Sequence, residues 1–107
     1  LKRALIVDDS ALKRRSIKNL LETSGFEVVG EADNGLTAIQ LYNDLKPDIV
    51  TMDIIMPKLD GLKAIKMIKE IDNGARIIII TSLGNEHQVK DAISLGAVGF
   101  IMENFPE

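Results

Sequence analysis

Three aspartates stand where their type and spacing allow chemistry. Asp8 and Asp9 directly follow the apolar run Ala4–Val7, and Asp53 directly follows the segment Asp48–Met52. If those segments are neighbouring strands, three carboxylates meet at the strand tips. At about 5 Å and an effective dielectric near 20, each like-charged pair costs on the order of 3 kcal/mol. A hard divalent cation relieves that repulsion, and oxygen-only ligands with open water positions suit Mg²⁺. Such an ion can also hold phosphoryl oxygens and make Asp53 a usable nucleophile. The ordinary alternative is that Asp8 and Asp9 serve only as turn or helix-capping residues. Taken alone, the three residues leave both readings open. Cysteine chemistry is excluded because the chain has no Cys, and the single histidine, His87, reads as a surface residue.

The aspartates need a scaffold that brings two strand ends together. Ala4–Val7 has the continuous apolar pattern of a strand buried on both faces. Ser10 caps a helix to about Ser24, with Ile17, Leu20 and Leu21 on one stripe, and Gly25 closes it. Phe26–Ala32 is the second strand; Asn34-Gly35 opens a helix through Leu45, with Ala38, Ile39 and Leu41 inward, and Pro47 breaks it. Asp48–Met52 is the third strand. After a loop carrying Pro57, Asp60-Gly61 begins a helix with Leu62, Ile65, Met67 and Ile68 on its apolar side. Arg76–Ile80 is the fourth strand, Asn85 caps a helix through Leu95 that Gly96 ends, and Val98–Met102 is the fifth strand. Strands alternating with helices predict an α/β fold, a doubly wound five-stranded parallel sheet covered on both faces. Its ligand crevice lies at the carboxyl ends of the strands, between the first and third.

Composition agrees with one domain. A chain of 107 residues buries roughly two-thirds of its unfolded surface. With 46% hydrophobic residues and only Phe26, Tyr42, Phe100 and Phe105 as aromatics, the core must be aliphatic. The net charge of −3, with both signs interspersed, gives no basic stripe for nucleic acid. No run approaches the roughly 20 apolar residues of a membrane span, so a cytoplasmic location is expected. After the fifth strand only Glu103–Glu107 remain, whereas that strand needs helical cover. A missing helix would bare about four apolar side chains, worth roughly 6–12 kcal/mol gross, against a net domain stability of about 5–15 kcal/mol. Residues 1–107 are therefore expected to form a domain incomplete at its C-terminal end, with dimer formation or helix exchange as a way to supply the cover.

Four blocks together resemble the response-regulator receiver family: LIVDDS at 5–10, DIVTMDIIMPKLDG at 48–61, IIIITS at 77–82 and LGAVGFI at 95–101. The third-strand block is most like the single-domain chemotaxis (CheY-like) receivers. The resemblance implies the flavodoxin-like strand order 2-1-3-4-5. It also implies a signalling domain, rather than a metabolic enzyme, that assists its own phosphorylation and dephosphorylation. Asp53 would accept a phosphoryl group from a sensor histidine kinase. Mg²⁺ would be held by Asp9 and Asp53, by Asp8 through water, and by the main-chain carbonyl of Ile55. Pro57 and Gly61 would shape the loop, Thr81 would bond the phosphoryl group, and Phe100 would pack inward as Thr81 moves. The face of the fourth helix and fifth strand, including His87, Lys90 and Asp91, would meet an output protein or domain. Ile55 and Leu83 would flank the path of attacking water, and neither can orient it, which implies slow self-dephosphorylation. Lys13, Arg14, Arg15 and Lys18 would make the first helix basic on its solvent face.

One position departs from the pattern. The family carries a Lys at the end of the fifth strand, followed by Pro; this chain has Glu103, then Asn104 and Phe105. A fourth carboxylate aimed at the cluster would add repulsion, so Glu103 should swing outward, take a proton or tighten cation binding. Lys58 is the nearest candidate for a substitute cation, although an exposed loop lysine is its ordinary reading. The departure admits a second function, a receiver-like protein-binding module without efficient phosphorylation. A hydrolytic phosphotransferase is disfavoured because no D-x-D motif accompanies Asp53. Flavin binding is disfavoured because the loop after the first strand is acidic rather than phosphate-cradling.

Overall fold

The computed structural model describes residues 1–82 and 86–103, with the backbone alone at Ser82, Met102 and Glu103. The expectations placed on Leu83, Asn85, Asn104, Phe105 and the Glu103 side chain lie outside the described residues. Strands and helices alternate as β1 (Lys2–Val7), α1 (Ala11–Thr23), β2 (Phe26–Ala32), α2 (Gly35–Leu45), β3 (Ile49–Met52), α3 (Gly61–Ile71), β4 (Ile77–Ser82), α4 (Glu86–Ser94) and β5 (Gly99–Glu103). All strand pairs are parallel, in the order β2-β1-β3-β4-β5. The sheet is the doubly wound arrangement expected.

Strand alternation divides the core. Leu5 and Val7 of β1 join Val50, Met52, Ile77 and Ile79 beneath Ala38 and Tyr42 of α2, Ala64, Ile65 and Ile68 of α3, and Val89 and Ala92 of α4. Ala4 and Ile6, on the opposite face, pack with Ile80 against Ile17 and Leu21 of α1. Helices therefore cover both faces, and the aliphatic β1 is enclosed by both. Side chains at Ser10, Asn34 and Asp60 cap α1, α2 and α3 by accepting from the amides of Lys13, Thr37 and Lys63. Each cap satisfies an otherwise unpaired first-turn donor and sets where the helix starts.

Several local expectations need correction. Leu20 and Met67 are exposed. At about 100° per residue, Leu20 falls to one side of the stripe centred on Ile17 and Leu21, and Met67 falls to one side of the stripe through Ala64, Ile65 and Ile68. Tyr42, not read as inward, is almost fully buried. β4 extends through Ser82 because it pairs with β5 up to Glu103, so Thr81 lies inside a strand. Phe100 and Ile101 point to opposite faces of β5 and are 51% and 47% exposed.

Candidate metal centre

Two adjacent strand ends bring the aspartates together. The Asp8 amide donates to the Ala32 carbonyl at 3.0 Å, and the Asp53 amide donates to the Val7 carbonyl at 2.9 Å. These bonds continue the sheet ladder one residue past β1 and β3, fixing both residues at the carboxyl edge. Asp8 is 1% exposed and Asp53 7%, whereas Asp9 is exposed at the rim. One carboxylate oxygen from each of Asp8, Asp9 and Asp53 lies within 4.8 Å of the other two. The carboxylates converge rather than point apart.

Main-chain amides engage one oxygen of each buried aspartate. Asp8 Oδ1 accepts from the Ser10 amide at 2.9 Å, and Asp53 Oδ1 accepts from the Ile54 amide at 2.7 Å. Asp8 Oδ2 is buried and accepts no aligned hydrogen bond. Burial raises the Asp8 carboxyl above the ordinary aspartate range; the Ser10 amide opposes the shift, the Asp53 charge adds to it, and Lys13 opposes it. A buried carboxylate oxygen beside two further carboxylates, with only oxygen donors in the cluster, fits a hard divalent ion that keeps some of its waters.

The first turn of α1 adds what sequence reasoning missed. Lys13 Nζ stands 3.3 Å from Asp8 Oδ2 and 3.5 Å from Asp53 Oδ2. Lys13 is therefore turned into the pocket and does not belong to a purely solvated basic face. Arg14 likewise turns back, donating from Nη1 to the Asp8 carbonyl at 2.7 Å and pairing with Glu31 at 3.2 Å. Of the two, Lys13 is the one that reaches the carboxylates of the pocket. Lys58, considered as a substitute cation, instead sits exposed on the loop with a left-handed backbone, φ 65°.

The loop after Asp53 is held from below. The Gly61 amide donates to the Ile54 carbonyl at 2.7 Å, and a Cβ at Gly61 would run into the Asp53 carbonyl oxygen. The Gly35 amide donates to the Leu59 carbonyl at 3.0 Å, tying the same loop to α2. Gly61 is thus needed for close approach as well as for starting α3. Ile55 is 56% exposed on this loop, with its side chain away from the core. Thr81 is fully buried near the end of β4. Phe100 lies apart from the acidic cluster, lining an apolar groove of about 560 Å³ with Val89, Lys90 and Ile93 of α4. His87 is exposed, as expected.

Comparison with known proteins gives the same assignment from sequence and from shape. Residues 4–107 match the response regulator receiver domain. Chemotaxis protein CheY of Bacillus subtilis (strain 168) is 52% identical over 103 residues, covering 96% of this chain and 86% of that protein. Chemotaxis protein CheY of Thermotoga maritima is 49% identical over 104 residues, covering 97% and 87%. Among solved structures, the CheX–CheY–BeF₃–Mg²⁺ complex from Borrelia burgdorferi superposes with a TM-score of 0.92 at 37% identity, over 98% of this chain and 80% of that one. The response regulator domain of Thermotoga maritima CheB gives a TM-score of 0.89 at 40% identity, over 95% of this chain and 78% of that one. The chain belongs to the response regulator receiver domain family.

Proposed function

We propose that this receiver is a Mg²⁺-dependent phosphorylation switch with Asp53 as its acceptor. The reading rests on the convergence of Asp8, Asp9 and Asp53 oxygens within 4.8 Å at the carboxyl edge of the sheet. Asp9 and Asp53 would hold the ion with the Ile55 carbonyl, and Asp8 would hold it through water. A bound Mg²⁺ supplies charge neutralisation for the phosphoryl oxygens. Asp53 Oδ2, the oxygen not engaged by the Ile54 amide, is the nucleophile. An O–P bond forms at Asp53 as the P–N bond of a kinase phosphohistidine breaks, and the released imidazole nitrogen takes a proton from solvent. Thr81 then bonds the phosphoryl group, and Phe100 moves inward from its exposed position. That movement reshapes the α4–β5 groove, the proposed output surface. The Borrelia CheY relative, solved with CheX, BeF₃ and Mg²⁺, supports both the ligands and the existence of a protein partner. The cytoplasm is the proposed location; no helix among the described residues is long and apolar enough to cross a membrane.

The test is phosphoryl uptake with Mg²⁺ and a small phosphodonor, read by mass and by amide NMR shifts around Asp53, Thr81 and Phe100. The wild-type chain gains one phosphoryl group and Asp53→Asn gains none; equal labelling of both overturns the assignment.

Glu103 favours a second reading, a receiver-like binding module that takes Mg²⁺ but is phosphorylated poorly. On that reading Mg²⁺ alone shifts the spectrum, the donor adds nothing, and Glu103→Lys restores the donor response.

A further inference from the structure

The cation that reaches the acidic pocket comes from a helix. β3 (IVTM), β4 (IIIITS) and β5 (GFIME) carry no Lys or Arg, and the basic residues of β1, Lys2 and Arg3, stand at its opposite end. Lys13 fills the position from the first turn of α1, where the positive end of the helix dipole disfavours a cation. No acidic residue in that turn compensates. Its contacts are not an ordinary surface ion pair, since both partners are buried and Lys13 itself is only 22% exposed. It faces Oδ2 of Asp8 and Oδ2 of Asp53, the oxygens left over by the Ser10 and Ile54 amides.

Charge counting gives this placement a purpose. Among the described side chains, Asp8, Asp9 and Asp53 bring three negative charges and Lys13 one positive, leaving two for a divalent ion to balance. A phosphoryl dianion on Asp53 replaces one charge by two. The divalent ion and Lys13 together then leave a single negative charge, whereas without Lys13 two would remain.

We propose that Lys13 acts as a tethered counter-ion with two opposed effects: it competes with Mg²⁺ for the Asp8 and Asp53 oxygens, and it pairs with the phosphoryl group once that group stands on Asp53. The second effect rests on the phosphoacceptor reading above. Removing Lys13 therefore favours the metal and disfavours the phosphoryl group. A residue that merely holds α1 in place would shift both ligands in one direction.

The experiment uses the whole chain as wild type, Lys13→Gln and Lys13→Arg, with folding checked by thermal midpoint. Mg²⁺ affinity is read from amide NMR shifts near Asp53, and the beryllofluoride demand is then read at saturating Mg²⁺. Lys13→Gln should bind Mg²⁺ about threefold more tightly yet need roughly tenfold more beryllofluoride, as loss of one charge-assisted contact requires. Lys13→Arg should return the beryllofluoride demand toward wild type. Unchanged values, movement of both in one direction, or tighter Mg²⁺ binding without a beryllofluoride penalty would overturn the role of Lys13 and leave the phosphoacceptor reading standing. A wild-type chain that takes Mg²⁺ but never responds to beryllofluoride would overturn both.

Discussion

Gly61 lies so close beneath Asp53 that the hydrogen at its Cα faces the Asp53 main-chain carbonyl with no room for a methyl group. The neighbouring bond, from the Gly61 amide to the Ile54 carbonyl at 2.7 Å, ties the start of α3 to the residue after Asp53. The obstacle to a side chain is backbone, which cannot swing away as a flexible side chain would. Gly61→Ala is therefore expected to push the acceptor loop outward, at a cost of roughly 1–3 kcal/mol. Thermal unfolding should register the loss, and phosphoryl uptake should slow because Asp53 moves with the loop. Wild-type stability with wild-type uptake would show that the loop yields freely.

Ile55 makes the complementary case, a residue replaceable without cost to the core. It is 56% exposed, so a polar substitution opens no cavity. An apolar side chain beside the proposed acceptor, Asp53, offers nothing to orient an attacking water. Ile55→Asn is expected to shorten the lifetime of the phosphorylated state roughly tenfold, a modest share of the 10²–10⁴ that a positioned proton acceptor contributes. The decay of phosphorylated wild type and variant at neutral pH measures this directly. An unchanged lifetime would mean that water reaches the phosphoryl group by another path.

The sheet and its three acidic residues were legible because their signals are local. Continuous apolar runs such as Ile77–Ile80 and the caps Ser10, Asn34 and Asp60 declare themselves within a few residues, and alternation with helices then dictates which strand ends meet. The inward turn of Lys13 was hidden for the opposite reason. Two of its partners are Asp8, five positions back, and Asp53, forty positions on. Nothing in a run of Lys13, Arg14 and Arg15 tells which cation faces the pocket. The one available sign was a lysine in a helix's first turn, against the dipole. Tyr42 was missed similarly, because a tyrosine turned inward needs a polar partner and its partner belongs to another element.

That partner is Asp72, whose Oδ2 accepts from the Tyr42 hydroxyl at 2.7 Å. Burial, with the Asp72 hydrogen bond and charge adding, raises the Tyr42 phenol above its ordinary range, while the Tyr42 hydroxyl holds Asp72 below its usual 3.8. A carboxyl lowered on folding contributes stability above its unfolded value and loses it as pH falls through the folded one. Tyr42→Phe should thus lower the thermal midpoint at pH 7, with the gap from wild type narrowing as the pH drops below 3.8. Phosphoryl uptake should not change, because the pair sits at the amino end of the sheet, away from Asp53. A gap independent of acid would assign the loss to packing alone.

Asp8 behaves with the opposite sign, and this links stability to the metal. Its carboxyl is raised, chiefly by burial, so the folded chain holds that proton more tightly than the unfolded chain does. The corresponding stability is complete below the ordinary 3.8 and disappears as pH rises through the raised value. At neutral pH the ionised Asp8 carboxylate therefore weakens the fold until a cation offsets it. Asp8→Asn, which keeps an acceptor for the Ser10 amide, should raise the thermal midpoint at pH 7 in magnesium-free buffer. That advantage should close as the pH is lowered toward 3.8. Mg²⁺ should reverse the order. At a hundred times its Kd a ligand stabilises the native state by about 2.7 kcal/mol, and the variant, having lost one carboxylate of the cluster, should gain much less. Midpoints measured across pH with and without Mg²⁺ decide the matter, since an Asp8→Asn variant less stable than wild type in magnesium-free neutral buffer would mean that Lys13 already compensates the buried charge in full.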